Sequence, residues 1–277
     1  MIIDAHAHMV KKPRDLDNIV SSGIVEQVWI MNTWYQCDER GLLDGRASED
    51  EILSVARDYP GFFIPFGLLD FRQTPDLIPR LREKGFVGLK AIMPEKPYDH
   101  PDYFPFYEKA EGLGMPILFH TGIIGKMARE DAGERLSLGP TNMRPSMLGA
   151  VAAAFPKLKI IGGHLGWPWL EETRQNLSHY SGIWHDMSGG HAGFYIQWLI
   201  ENLDVRCLDG TNRCFYDKVL FATDGRYGRK EYHEAILKNI RFWELFFEEV
   251  GRFYHWGTKT ENIMRQNAKM IIPIKEK

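Results

Sequence analysis

Short apolar runs punctuate the chain eight times: MIIDAHAH, QVWIMN, FFIPFGLLD, GFVGLKAI, MPILFHTG, KLKIIGGH, GIWHDMSG and KVLFATDG. Each is followed by a turn and then a stretch of mixed polarity. Their β-branched and aromatic residues favour extended chain. Between several of them lie segments with helical periodicity: SEDEILSVARDY, TPDLIPRLREK and RPSMLGAVAAAF. The first two open on a hydroxyl residue suited to an N-cap, followed by acidic residues that favour the first turn. LGM and FPK supply the glycine or proline that ends a helix before the next strand. Strand and helix alternating eight times predicts an α/β fold, a (β/α)8 TIM barrel, as one domain over residues 1–277. An open doubly wound sheet is the alternative, but no GxGxxG opens the first unit.

The ends of the runs carry the chemistry. In DAHAH, side chains two apart on a strand point the same way, so His6 and His8 aim at one point. Ala5 and Ala7 are then expected on the other side. The fifth run ends in His120, the sixth in His164 and the eighth in Asp224, and the fourth carries Lys90 near its end. All would stand at the carboxyl ends of barrel strands, where barrel enzymes build their sites. A buried apolar strand ending in His or Asp needs a partner for that group. His6, His8, His120 and Asp224 form a three-nitrogen, one-oxygen set for one divalent cation. Zn²⁺ suits these donors best, with Mn²⁺ or Fe²⁺ as alternatives. Such an ion acidifies a bound water toward neutrality. His164 is expected beside the metal as an acid/base group. In GIWHDMSG, alternation sends one of His185 and Asp186 inward, and Asp186 is the one expected there.

Bulk properties narrow the partners. The net charge of −3 gives no basic face for nucleic acid. No apolar stretch is long enough to span a bilayer. Cys37, Cys207 and Cys214 are too few for a disulfide framework, and the opening residues show no basic-then-apolar leader. A cytoplasmic protein acting on a small molecule is therefore expected. The loops TWYQCDERGLLDGRAS and GIIGKMAREDAGERLSLGPTNM follow the second and fifth runs and would lie over the barrel mouth. Expected substrate contacts are Lys90, Arg226 and Arg229, with Trp167 stacking on a planar ring and Arg129 and Arg135 in the long fifth loop. Paired guanidinium donors suit carboxylates. The spacing of Cys207 and Cys214 lacks the two further ligands of a metal knuckle, so they read as ordinary thiols.

DAHAH, ILFHTG, IIGGHLGWPW and LFATDG, in this order, resemble the amidohydrolase superfamily. Within it they are most similar to the amidohydrolase-related branch that holds the aminocarboxymuconate-semialdehyde decarboxylase-like enzymes. RPSMLGAVAAAFPKLKIIGGHLGWPW and the tail KTENIMRQNAKMII extend the likeness over the whole chain. The resemblance implies that His6, His8, His120 and Asp224 hold a catalytic metal and that His164 assists. Asp224 would shuttle the proton. Lys90, if carboxylated, would bridge two metals as in other members, but one metal is the favoured count. TDGRYGRK departs from the proline-containing turn common after the aspartate, and puts Arg226 and Arg229 there instead. The branch often dimerises, so a homodimer is a further expectation, with Arg174 facing a partner. Two reactions fit: hydrolysis of a small carboxylate-bearing amide or lactone, which is preferred, and non-oxidative decarboxylation of an aromatic or unsaturated acid. A metal-binding barrel without turnover is the third reading, disfavoured by the acid/base pair beside the metal.

Overall fold

The computed structural model describes residues 1–33, 46–123, 140–189, 195–257 and 259–274. All eight apolar runs are strands: β1 (Ile2–Met9), β2 (Val25–Met31), β3 (Phe63–Leu68), β4 (Gly88–Ala91), β5 (Ile117–Phe119), β6 (Ile160–Gly162), β7 (Ile183–Asp186), and β8 (Val219–Leu220) with β9 (Gly225–Tyr227). Every neighbouring pair is parallel, in the order β8-β7-β6-β5-β4-β3-β2-β1-β9.

The two ends of that order, β8 and β9, are consecutive in the sequence, with β9 starting where the eighth run ends. β8 pairs with β7, β9 pairs with β1, and the chain between them is bridged by Ala5 N–H to Phe221 O (3.1 Å) and Asp224 N–H to His6 O (2.8 Å). The eighth run thus closes a TIM barrel. It breaks in two because Asp224 adopts φ 52, which no strand residue can hold. The Asp4 carboxylate fixes the break, accepting from Thr223 N (2.9 Å), Thr223 Oγ1 (2.5 Å) and Tyr227 OH (2.9 Å).

Inside the barrel, Lys90, Leu118, Ile161 and Trp184 stand in register on successive strands. The last three belong to an interior cluster with Ile3, Ala5, Trp29, Met31, Phe66, Leu220 and Ala222. The closing helix Asn267–Ile271 adds Ala268 and Ile271 to that cluster and is tied to the start of β6 by Lys159 Nζ, which donates to Met270 O and Ile271 O. It therefore plugs the amino-terminal end and leaves the other end as the mouth. A larger cluster fills the layer between strands and helices.

Three details differ from the sequence expectation or refine it. Ala5 is not opposite the histidines with Ala7 but lines the interior with Ile3, because β1 loses register against β2 between Asp4 and Ala7. Ser48 is the N-cap of the helix Glu49–Asp58 and makes a full capping box with Glu51. Thr74 is not a cap: the helix begins three residues later, at Leu77, after a turn through Pro75 and Asp76.

Candidate metal and catalytic site

β1 delivers His6 (1% exposed) and His8 (5% exposed), side by side at the mouth, their ring centroids 5.5 Å apart. Lys90 rises from β4 in the interior row and puts Nζ 2.9 Å from His6 Nε2. His120 follows β5 immediately and His164 follows β6, with His164 Nε2 3.2 Å from His120 Nδ1. Asp224, at the break in the eighth run, sets Oδ1 2.8 Å from His8 Nε2 and 3.7 Å from His6 Nε2. A third of the Asp224 side chain (34%) stays open, so the mouth is accessible there. Donor atoms of His6, His8 and Asp224 lie within 4.8 Å of one another, as do those of His6, His164 and Asp186. His120 stands beside His164 rather than within either group.

The backbone is bent to achieve this. His164 and Leu165 take left-handed conformations (φ 60 and φ 46), which turns the imidazole back over the barrel axis. Gly189 faces it closely: a Cβ there would lie 2.5 Å from His164 Nδ1. β7 alternates as expected, with Asp186 inward and His185 outward. The His185 ring packs against Gly162, where a Cβ would meet it at 2.2 Å, and lies near Asn176.

The ring hydrogens follow from their partners. His6 Nδ1 faces the Asp186 carboxylate (3.0 Å), His8 Nδ1 faces Met31 O (3.3 Å), His120 Nε2 faces Ile123 O (3.3 Å) and His164 Nδ1 faces Ser188 O (3.1 Å). Each of these partners only accepts, so each of these nitrogens carries the proton. The other nitrogen of every ring is then a bare lone pair turned toward the centre. His120 Nδ1 and His164 Nε2 confront each other, and His8 Nε2 confronts a carboxylate oxygen. Lone pairs facing each other, or facing a carboxylate, at these distances repel unless a positive charge lies between them.

Electrostatics keep them neutral. Burial pushes the His6, His8 and His120 imidazoles below their ordinary value, His8 to about 3. Burial likewise lowers Lys90 to about 8. It opposes ionisation of Asp224, but the place of that carboxyl beside His8, His6 and His164 outweighs the cost and holds it well below its usual range. Four lone-pair nitrogens and a carboxylate thus gather around the Lys90 amine, 2.9 Å from His6 Nε2. A divalent cation satisfies that donor set, and imidazole with carboxylate is the chemistry zinc and manganese accept.

Arg46, which the sequence reading passed over, lies close enough to depress both His8 and Lys90. It arrives through an antiparallel bridge with Val10, just beyond β1. Arg226 pairs with His8 across β1 and β9, and its guanidinium lies 5.9 Å from the Tyr232 ring. Arg229 donates to the carbonyls of Lys12 (2.8 Å), Gly228 (2.7 Å) and Lys11 (3.2 Å), stitching the turn after β1 to the turn after β9. Trp167, half-buried, packs on the core shell. Arg174 is exposed on the helix Leu170–His179. Arg129, Arg135 and Cys37 lie outside the described residues. Asp186, Ser188 and Asp4 complete the network, and of these only Asp186 left a signal in the sequence.

No curated protein matches the chain. Among solved structures, an uncharacterised TIM-barrel protein from Bordetella bronchiseptica is 19% identical with a TM-score of 0.64, covering 98% of each chain. A probable 2-pyrone-4,6-dicarboxylic acid hydrolase from Acinetobacter baumannii, with citric acid bound, is 15% identical with a TM-score of 0.59 over 98% of each chain. A dihydroxybenzoic acid decarboxylase from Polaromonas, with bound manganese and the inhibitor 2-nitroresorcinol, is 14% identical with a TM-score of 0.58, covering 100% of this chain and 98% of that one. These likenesses establish the shared barrel. Residues 39–259, most of the chain and all of the strands from β3 onward, match the family model described as amidohydrolase. The chain belongs to the amidohydrolase family.

Proposed function

We propose that the protein is a metal-dependent hydrolase of a small, carboxylate-bearing amide or lactone. The observation that carries this is the set of bare nitrogens on His6, His8, His120 and His164 turned inward around the Asp224 carboxylate. His6, His8, His120 and Asp224 would hold one divalent cation, zinc or manganese by donor type. When bound, the cation polarises a carbonyl and makes water acidic enough to react near neutral pH.

The remaining steps belong to the chain. Asp224, ionised and partly open to solvent, takes the proton of the attacking water and passes it to the leaving nitrogen or oxygen. His164, whose bare Nε2 faces the centre, accepts a hydrogen bond from the attacking water and orients it. Lys90, Arg46 and Arg226 make a cationic side of the mouth that suits a substrate carboxylate. Arg229, given to main-chain carbonyls, holds the loop that carries Arg226. Motif order in DAHAH, ILFHTG, IIGGHLGWPW and LFATDG supports a place in the aminocarboxymuconate-semialdehyde decarboxylase-like branch.

The test is parallel assay of metal-loaded protein against amides and lactones carrying a carboxylate, and against aromatic and unsaturated acids with CO₂ detection. Hydrolysis of the former is expected. CO₂ release without hydrolysis would replace this reading with the decarboxylase one.

A further inference from the structure

Asp186 touches both halves of the site while standing outside the expected ligand set. Its side chain is fully buried (0% exposed) at the end of β7. Oδ2 accepts from His6 Nδ1 at 3.0 Å. Oδ1 accepts from the backbone N–H of His164 (2.9 Å), the backbone N–H of Ser188 (3.0 Å) and the Ser188 hydroxyl (2.5 Å). The Ser188 hydroxyl, its proton given to Asp186, offers lone pairs to His6 Nδ1 and His164 Nδ1, each at 3.1 Å. One carboxylate and one hydroxyl therefore serve two rings that come from strands far apart in the sequence, β1 and β6.

We infer that Asp186 is a positioning residue that sets the tautomer of His6 and pins the left-handed turn presenting His164, with Ser188 as the relay between them. An imidazole has one proton to place when neutral, and the group facing one nitrogen decides which lone pair is free. With a carboxylate on Nδ1, His6 keeps its proton there and turns a bare Nε2 to the centre. Carboxylates behind metal-binding histidines act in this way. The same carboxylate accepts from the backbone N–H of His164 at the strained left-handed turn of His164 (φ 60) and Leu165 (φ 46). Thr173 Oγ1 on Leu165 O (2.6 Å) and Thr121 Oγ1 on Gly163 O (2.6 Å) brace the turn from other sides, so Asp186→Asn leaves it supported.

An amide cannot reproduce this pattern. With its oxygen toward the two N–H groups, Asn would aim its NH₂ at His6 and force the ring proton onto Nε2. With the amide reversed, the His164 and Ser188 N–H groups would face a donor. The inference rests on the metal-centre reading for its consequence, but the tautomer itself is independent of it.

The test pairs ¹⁵N NMR of histidine-labelled, chelator-treated protein with a cobalt(II) titration of wild type, Asp186→Asn and Ser188→Ala. His6 is assigned through its loss in His6→Gln. Wild-type His6 is expected protonated at Nδ1 and bare at Nε2. Asp186→Asn is expected to mix or reverse that tautomer and weaken cobalt binding roughly 10- to 100-fold, with an altered d–d spectrum. Ser188→Ala, which keeps both carboxylate oxygens, is expected to weaken binding by less than about tenfold. A wild-type His6 bare at Nδ1 overturns the inference. So does Asp186→Asn with wild-type affinity and spectrum, or a Ser188→Ala loss equal to that of Asp186→Asn. If Asp186→Asn does not fold, the wild-type tautomer decides alone. Wild-type protein that takes up no cobalt but shows the expected tautomer would sink the metal reading and leave the hold of Asp186 on His6 standing.

Discussion

Two lysines are buried as completely as any residue in the barrel, Lys90 at 1% and Lys218 at 0% exposed, and they are treated in opposite ways. Lys218, beneath β8, donates to Leu177 O (2.5 Å), Tyr180 O (2.7 Å) and Asp209 Oδ2 (3.2 Å), so each of its protons has an acceptor. Asp209 is satisfied in turn by Thr211 and Arg213. Lys90 has one hydrogen-bond partner among the described residues, a histidine nitrogen. The first lysine is desolvated and compensated, which is architecture. The second is desolvated and left wanting, and a group in that state is available to a ligand.

The difference predicts that substitutions at the mouth cost activity and those at the base cost stability. Asp224→Asn should lower kcat about a thousandfold, within the range for loss of a general acid/base, and leave the midpoint of thermal unfolding nearly unchanged. A kcat within a factor of a few of wild type would remove Asp224 from the proton path. Lys218→Met should destabilise by about 3–5 kcal/mol in urea unfolding, because Asp209 and two carbonyls lose their partner. The folded fraction should keep wild-type kcat/KM. Lys90→Met should invert that outcome. It should cut kcat/KM about a hundredfold, or about 3 kcal/mol, with stability changed by less than about 1 kcal/mol since an under-compensated charge is removed. If both lysine variants lose stability alike, the contrast fails.

The smallest effect separates the inner and outer faces of β7. Burial lowers His185 from 6.5 to about 3, so the folded protein keeps it neutral where the unfolded chain protonates it. The unfolded state then binds more protons, and stability is lost as the pH falls below 6.5 toward about 3. Between about pH 6 and pH 4.5 this contributes about 2 kcal/mol. His185→Phe should flatten that limb of the urea-stability curve by the same amount. An unchanged slope would mean His185 is not the group responsible. Asp4 works in the opposite sense: burial raises it to about 6, so the folded state holds its proton longer and loses stability as the pH rises from about 4 to 6.

Much of this molecule is legible in its sequence because strand ends carry the pattern. Each apolar run became a strand, and His6, His8, His120, His164 and Asp224 at the ends of theirs meet at the mouth, since a barrel orients every parallel strand the same way. DAHAH aims two rings at one place through simple alternation. What the sequence hid depends on closure. The eighth run reads as one strand, yet Asp224 breaks it, and the break is held by Asp4 at the far end of the chain. Arg46 reaches the site through a bridge to Val10 that no local pattern encodes. Alternation narrows β7 to His185 or Asp186 but cannot say that Asp186 will meet His6, 180 positions away. Ala5 misleads for the same reason, because the register slip in β1 arises only when β2 is beside it.

The inward-facing lone pairs of the site call for a cation between them. A competition titration of chelator-treated protein with zinc or manganese addresses this directly, using wild type and the double variant His8→Asn with Asp224→Asn. Uptake of one cation per wild-type chain, abolished in a double variant that still unfolds cooperatively, is the predicted result. No uptake by wild type, or equal uptake by the double variant, would contradict it.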